Sequence, residues 1–113
     1  MEPIVYPLSK QATVLTNSQR LKEVSPALAE AFWGLRNAAN THSTLGARER
    51  ELIFVSAFAA TMNEGGFRVH VSHAHAAGVS VEELEQLVML MLGTSLGLAP
   101  TVQLLVWLHE ELD

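Results

Sequence analysis

From residue 46 to residue 92 the chain reads GARERELIFVSAFAATM (46–62), NEGG (63–66), FRVHVSHAHAAG (67–78), VS (79–80) and VEELEQLVMLML (81–92). The first stretch opens on alternating charges. It then becomes apolar on every side through Leu52, Ile53, Phe54, Val55, Ala57, Phe58, Ala59 and Ala60. This predicts a helix from about Gly46 to Met62 that sits centrally and is buried all round. Asn63-Glu64-Gly65-Gly66 interrupts the pattern and places Glu64 in a loop. A second helix is predicted over Phe67–Ala77, stopped by Gly78, a residue suited to the left-handed position after a helix end. Ser80 and Glu83 have the Ser-x-x-Glu spacing of a capping box, so a third helix follows to about Leu92.

The flanking sequence extends this pattern. Pro100 is expected to open a last helix running to about Leu112. On the N-terminal side, Asn40–Thr44 is a polar connection. Before it, Ser25-Pro26 reads as cap and first residue of a helix to about Ala39, with Leu28, Ala31, Phe32 and Leu35 at helical spacing. Asn17-Ser18 is suited to start a short helix through Val24. Residues 1–17 read as an extended arm, because Pro3 and Pro7 forbid early helix and Thr13-Val14-Leu15-Thr16 prefers an extended backbone. The expected fold is all-α, with five to six helices in one domain over residues 18–113. A chain of 113 residues allows one core burying roughly 65% of the unfolded surface.

Composition excludes several classes of function. There is no cysteine, so disulfides, zinc–thiolate sites and thiol redox couples are absent. Twelve acidic residues against seven basic ones give a net charge of −5. Two lysines, Lys10 and Lys22, and scattered arginines form no basic patch, so nucleic acid is not an expected partner. Gln86–Leu108 carries no formal charge and is long enough to span a bilayer. However, Gly93, Thr94, Ser95, Gly97 and Pro100 break it, and acidic flanks offer no positive-inside signal. Two helices in a soluble protein fit it better, no membrane association is expected, and with no secretory signal at Met1-Glu2-Pro3-Ile4 the expected location is cytoplasmic. Only 17% of residues are charged, which points to surface covered by other copies of the chain.

Phe67, His70, Val71, Ala74 and Ala77 share one face of the second helix, making His70 the one titratable group on an apolar stripe. Burial there favours the neutral imidazole that a general base needs, although a core histidine bonded to a carbonyl fits the same pattern. His73 lies one turn on, toward the edge of the stripe. His75 points about 140° away from His70, on the outer side with Arg68 and Ser72. Three histidines of one helix therefore cannot share an ion, His70 and His73 supply two ligands at most, and no metal site is expected. Glu51 shares a face with Phe54, Val55, Phe58 and Met62 and is expected to be partly desolvated. Arg48 and Arg50 flank it and suit either neutralising it or clamping an anion. Gly65-Gly66 is no phosphate loop, since the Gly-x-x-x-x-Gly-Lys pattern is absent.

These stretches, Ser25-Pro26-Ala27-Leu28, Ala47-Arg48-Glu49-Arg50-Glu51-Leu52-Ile53, Phe67-Arg68-Val69-His70 and Gly78-Val79-Ser80-Val81-Glu82-Glu83-Leu84, resemble the carboxymuconolactone decarboxylase family, which also contains the AhpD-like alkylhydroperoxidases. The resemblance spans residues 25 to about 110. It implies an AhpD-like bundle of helical hairpins that assembles into homotrimers or homohexamers. The peroxidase branch carries Glu-x(11)-Cys-x(2)-Cys-x(3)-His, filled here by Glu51, Asn63, Gly66 and His70, so the relay Glu and His are kept and both thiols are gone. The decarboxylase branch needs no cysteine and is similar to this chain at Arg50, Glu64 and His70. The chain departs from that branch at Gly66, where an acid is expected, and at Gly97-Leu98-Ala99-Pro100, one residue longer than Gly-x-Pro.

The resemblance thus implies a small cofactor-free lyase acting on a carboxylated lactone or a related enolisable acid. His70 and Glu51 would be catalytic, and Arg50, Glu64 and His73 would contact the small acidic substrate. The alternative is a non-catalytic oligomeric binding or scaffold protein that keeps the fold without the chemistry.

Overall fold

The structure is a computed structural model and describes residues 17–113. Six α-helices occur among these residues: α1 (Asn17–Val24), α2 (Pro26–His42), α3 (Ala47–Ala60), α4 (Glu64–Ala76), α5 (Val81–Met91) and α6 (Leu98–Leu112). The only β pairing among them is an isolated bridge between Leu92 and Leu96. The expected arm lies outside the described residues except for Asn17, which begins α1. Contacts group the described chain into two compact units, 17–45 and 46–113.

In the first unit α1 packs on α2. Ser25 caps α2 as its sequence requires, its Oγ accepting the Leu28 N–H at 3.2 Å with Pro26 as the first helical residue. The helix continues to His42, three residues past its expected end. Its apolar stripe is largely exposed: Leu28 is 56% and Leu35 68% exposed, and among the described residues of α2 only Ala29 is buried.

In the second unit α3 packs against α4, α4 and α5 each pack on α6, and α3 touches α5. The core is formed by Val55 and Ala59 of α3, Phe67, Val71 and Ala74 of α4, Val79, Leu84 and Val88 at and within α5, and Leu104 and Leu108 of α6. Each of the larger side chains contributes about 1.5–3 kcal/mol by leaving water. The Phe67 ring adds a tilted contact with Trp107, centroids 6.2 Å apart.

The helices differ from the sequence expectation in three places. First, α3 is not buried all round: Glu51, Val55 and Ala59 are covered, whereas Ile53 on the far side is 51% exposed. Second, α4 begins at Glu64 and not at Phe67. The Asn63 side chain accepts the Gly66 N–H at 3.0 Å and caps the helix, so the Gly pair is its first turn. Third, α6 begins at Leu98, with Gly97 at its cap and Pro100 inside the first turn, where a missing N–H costs nothing. The capping box at α5 forms in both directions, Ser80 N–H to Glu83 and Glu83 N–H to Ser80, each 3.0 Å. Gly78 takes a φ of +96° just past α4. No helix among the described residues is long and apolar enough to cross a membrane.

Candidate functional site

Gly66 sets how closely α3 and α4 approach. A Cβ there would stand 2.4–2.6 Å from atoms of the Phe58 ring, so only glycine lets that ring lie against the first turn of α4. One turn further along α4, the same ring stacks on His70, with centroids 5.3 Å apart and planes 16° from parallel. Phe54, one turn earlier on α3, makes a tilted contact with His70 at 5.1 Å. The imidazole is thus packed against two phenyl rings of α3. Sequence spacing put both rings on the Glu51 face without showing that they would grip a histidine.

Glu51 is the polar residue at the centre of this packing and is 3% exposed. Its Oε1 lies 2.7 Å from Nδ1 of His70 and 3.7 Å from Nδ1 of His73. The two imidazoles meet edge to face, centroids 5.0 Å apart. His73 therefore belongs to the same cluster as His70, a point that its position at the edge of the stripe left open. The side chains of His70 and His73 keep 17% and 12% exposure, so the cluster reaches the surface of the chain. Desolvation, followed by repulsion from His70, pushes the pKa of His73 down to about 4 against the opposing pull of Glu51, leaving the ring neutral at pH 7.

A carboxylate bonded to Nδ1–H leaves Nε2 of His70 as the basic nitrogen. The carboxylate also stabilises the imidazolium formed when that nitrogen takes a proton. This is the chemistry of an oriented general base or acid. One donor atom from each of Glu51, His70 and His73 lies within 4.8 Å of the others, the geometry of a three-ligand cation site. Spacing within α4 alone supplies two ligands at most. The carboxylate on α3 supplies the third.

The other expected site residues are placed differently. Arg50 stands half-buried in the first turn of α3, next to Glu51 in sequence. Glu64 is not in the cluster: its Oε2 accepts from Nε of Arg68 at 3.0 Å. Arg68 and Ser72 were expected on an outer face, but α6 packs over that face and Arg68 is only 8% exposed. Its guanidinium also donates to Glu110 at 2.6 Å and lies 3.8 Å from the buried Glu111, which accepts from Ser72 at 3.2 Å. Burial alone would lower the Arg68 pKa, and the bonds to Glu110 and Glu64 more than offset it. His75 bonds the Val79 carbonyl at 3.0 Å and closes the end of α4.

On another side of α3, a cleft of about 400 Å³ lies between α3 and α5, lined by Arg48, Leu52, Ser56, Glu83, Gln86, Leu87, Leu90 and Met91. Arg48 and Glu83 form an ion pair at this cleft. The backbone N–H of Ser80 and then Arg48 hold the Glu83 carboxyl below its usual range. None of the cluster residues lines this cleft.

The described residues form a helical protein in which a hairpin of two helices presents a buried glutamate to a histidine. The model of the carboxymuconolactone decarboxylase family matches residues 26–103, spanning α2 to the start of α6, and the chain belongs to that family. No curated protein and no solved structure matches it. The cysteine positions of the family's peroxidase branch have structural duties here. Asn63 caps α4, and Gly66 makes room for Phe58.

Proposed function

We propose that the protein is a carboxymuconolactone decarboxylase-like lyase that works without cofactor on a carboxylated lactone or a related enolisable acid. The observation that carries this reading is the 2.7 Å contact between His70 and a glutamate that is 3% exposed. In the reaction, the C–C bond to the carboxylate breaks, CO2 departs, and the electron pair passes into an enolate. His70, once Nε2 has taken a proton from solvent, delivers that proton to the carbanion carbon and returns to neutral imidazole, and Glu51 stabilises the imidazolium and holds the ring in place through the cycle. Arg50 receives the substrate carboxylate, and His73 lines the same opening as a neutral hydrogen-bonding group. Glu64, engaged by Arg68, acts in this scheme only by fixing α4. The lyase would work as a homotrimer or homohexamer.

A second reading is supported by the cleft between α3 and α5, which none of the cluster residues lines, and by the two phenyl rings packed on His70. In that reading the protein is a non-catalytic oligomeric binder. A screen of small carboxylated lactones and β-keto acids by NMR, in buffer with a chelator, separates the two. For the lyase, turnover by the wild type should fall by about 10²–10⁴-fold in His70→Gln and clearly in Glu51→Gln. Absence of turnover across the screen would leave the binding reading in place, whereas full activity in His70→Gln would remove His70 from the reaction.

A further inference from the structure

We propose that Glu51, His70 and His73 form a binding site for a divalent transition-metal ion of the Zn2+ class. Two imidazoles from successive turns of α4 and one carboxylate from α3 bring one donor atom each to within 4.8 Å of one another. Two nitrogens and one oxygen suit Zn2+, Co2+ or Ni2+, and are a poor match to Mg2+ and Ca2+, which prefer all-oxygen shells. Donors at the usual metal–ligand lengths around a tetrahedral ion stand about 3.4 Å apart. The distances from Oε1 of Glu51 to Nδ1 of His70 and of His73, 2.7 and 3.7 Å, bracket that value, so small side-chain rotations suffice. Three protein ligands leave at least one coordination position for water or an exogenous ligand. The apolar walls given by Phe54 and Phe58 strengthen charge interactions at the ion. The residual exposure of both imidazoles gives it a way in.

This inference goes beyond the lyase reading and does not depend on it. Coordination through Nδ1 of His70 moves that ring's proton to Nε2, so the ion takes the place of the proton held against Glu51. Metal loading should accordingly inhibit the metal-free proton transfer.

The test uses the full chain, tag-free and stripped of metal, titrated with Zn2+ by calorimetry and followed by NMR of the imidazole nitrogens. Saturable binding at one ion per chain is expected, with ring signals of His70 and His73 shifting while those of His42 and His109 stay in place. Losing an outer partner of a metal ligand costs about 10–100-fold in affinity. His73→Ala and Glu51→Gln, which remove ligands outright, should lose at least that much, with His109→Ala unchanged. The NMR arm uses only wild-type protein, so a variant that fails to fold does not blunt the test. Unmoved His70 and His73 signals at excess Zn2+ overturn the proposal, as does undiminished binding in well-folded variants by circular dichroism. A lyase assay without turnover would leave this result untouched.

Discussion

At Gly66 two effects of a single methyl group oppose each other. In a helix, Gly→Ala ordinarily gains about 1 kcal/mol through backbone entropy. Here the added carbon meets the Phe58 ring at 2.4–2.6 Å, and that ring is held against His70. Overpacking of this kind costs about 1–3 kcal/mol, so Gly66→Ala should show a net loss in urea unfolding. Gly34→Ala, where nothing lies within 4 Å, should gain about 0.5–1 kcal/mol. His73 gives a pH-dependent prediction. Its folded-state pKa, about 4, lies below the ordinary 6.5, so the unfolded chain binds the proton more readily. The contribution to stability is complete above pH 6.5 and is lost as pH falls toward 4, by up to about 3 kcal/mol. Melting curves in chelator should drop across that window, and His73→Gln should flatten the drop. The sequence made Glu51 and His70 legible because helical spacing alone sets each on an apolar face. Their pairing was implied by the family resemblance and not by spacing, and the entry of His73 beside Glu51 required knowing how α3 lies on α4, which no spacing within one helix contains.

Helix ends were readable at Ser25-Pro26 and at Ser80 with Glu83, where side chain and spacing make a known cap, and at Gly78, where glycine takes a positive φ. They differ at Glu64, where a Gly pair reads as a break, and at Leu98, where Pro100 reads as the first helical residue; both features lie within first helical turns, in which backbone N–H groups have no intrahelical partner. The same limit hid the joint between α4 and α6. Helical spacing gave Arg68 a face, but not the second helix that covers it. Arg68 now stands among Glu64, Glu110 and Glu111, the last 3% exposed. Arg68→Met should therefore cost about 3–5 kcal/mol at pH 7, because it leaves the Glu111 carboxylate buried without its cation. Adding Glu111→Gln should recover much of that loss in denaturant titrations. If the single variant is as stable as wild type, α6 is held by its apolar contacts alone.

Among the described residues, large apolar side chains stand exposed on several helices. Leu28, Phe32 and Leu35 follow one face of α2 at 43–68% exposure, and Leu90 of α5 and Leu98 of α6 are 76% and 70% exposed. With only 17% of residues charged, large apolar side chains of this number are poorly accounted for as isolated surface residues and suit self-association. Sedimentation should find the wild type as a trimer or hexamer of the 12.3 kDa chain. Leu35→Glu and Leu90→Glu introduce a charge where a neighbouring copy would remove it from water, so each should shift the equilibrium toward monomer while helix content by circular dichroism is kept. A wild type that sediments as monomer at micromolar concentration would mean that these faces are solvated and that the shortage of charge has another origin. If the assembly forms and Leu90→Glu alone dissolves it, the cleft beside Leu90 lies at the subunit contact, and a small acid bound there would be enclosed by two chains. The thermal shift from such an acid should then depend on protein concentration, whereas binding at His70 within one chain should not.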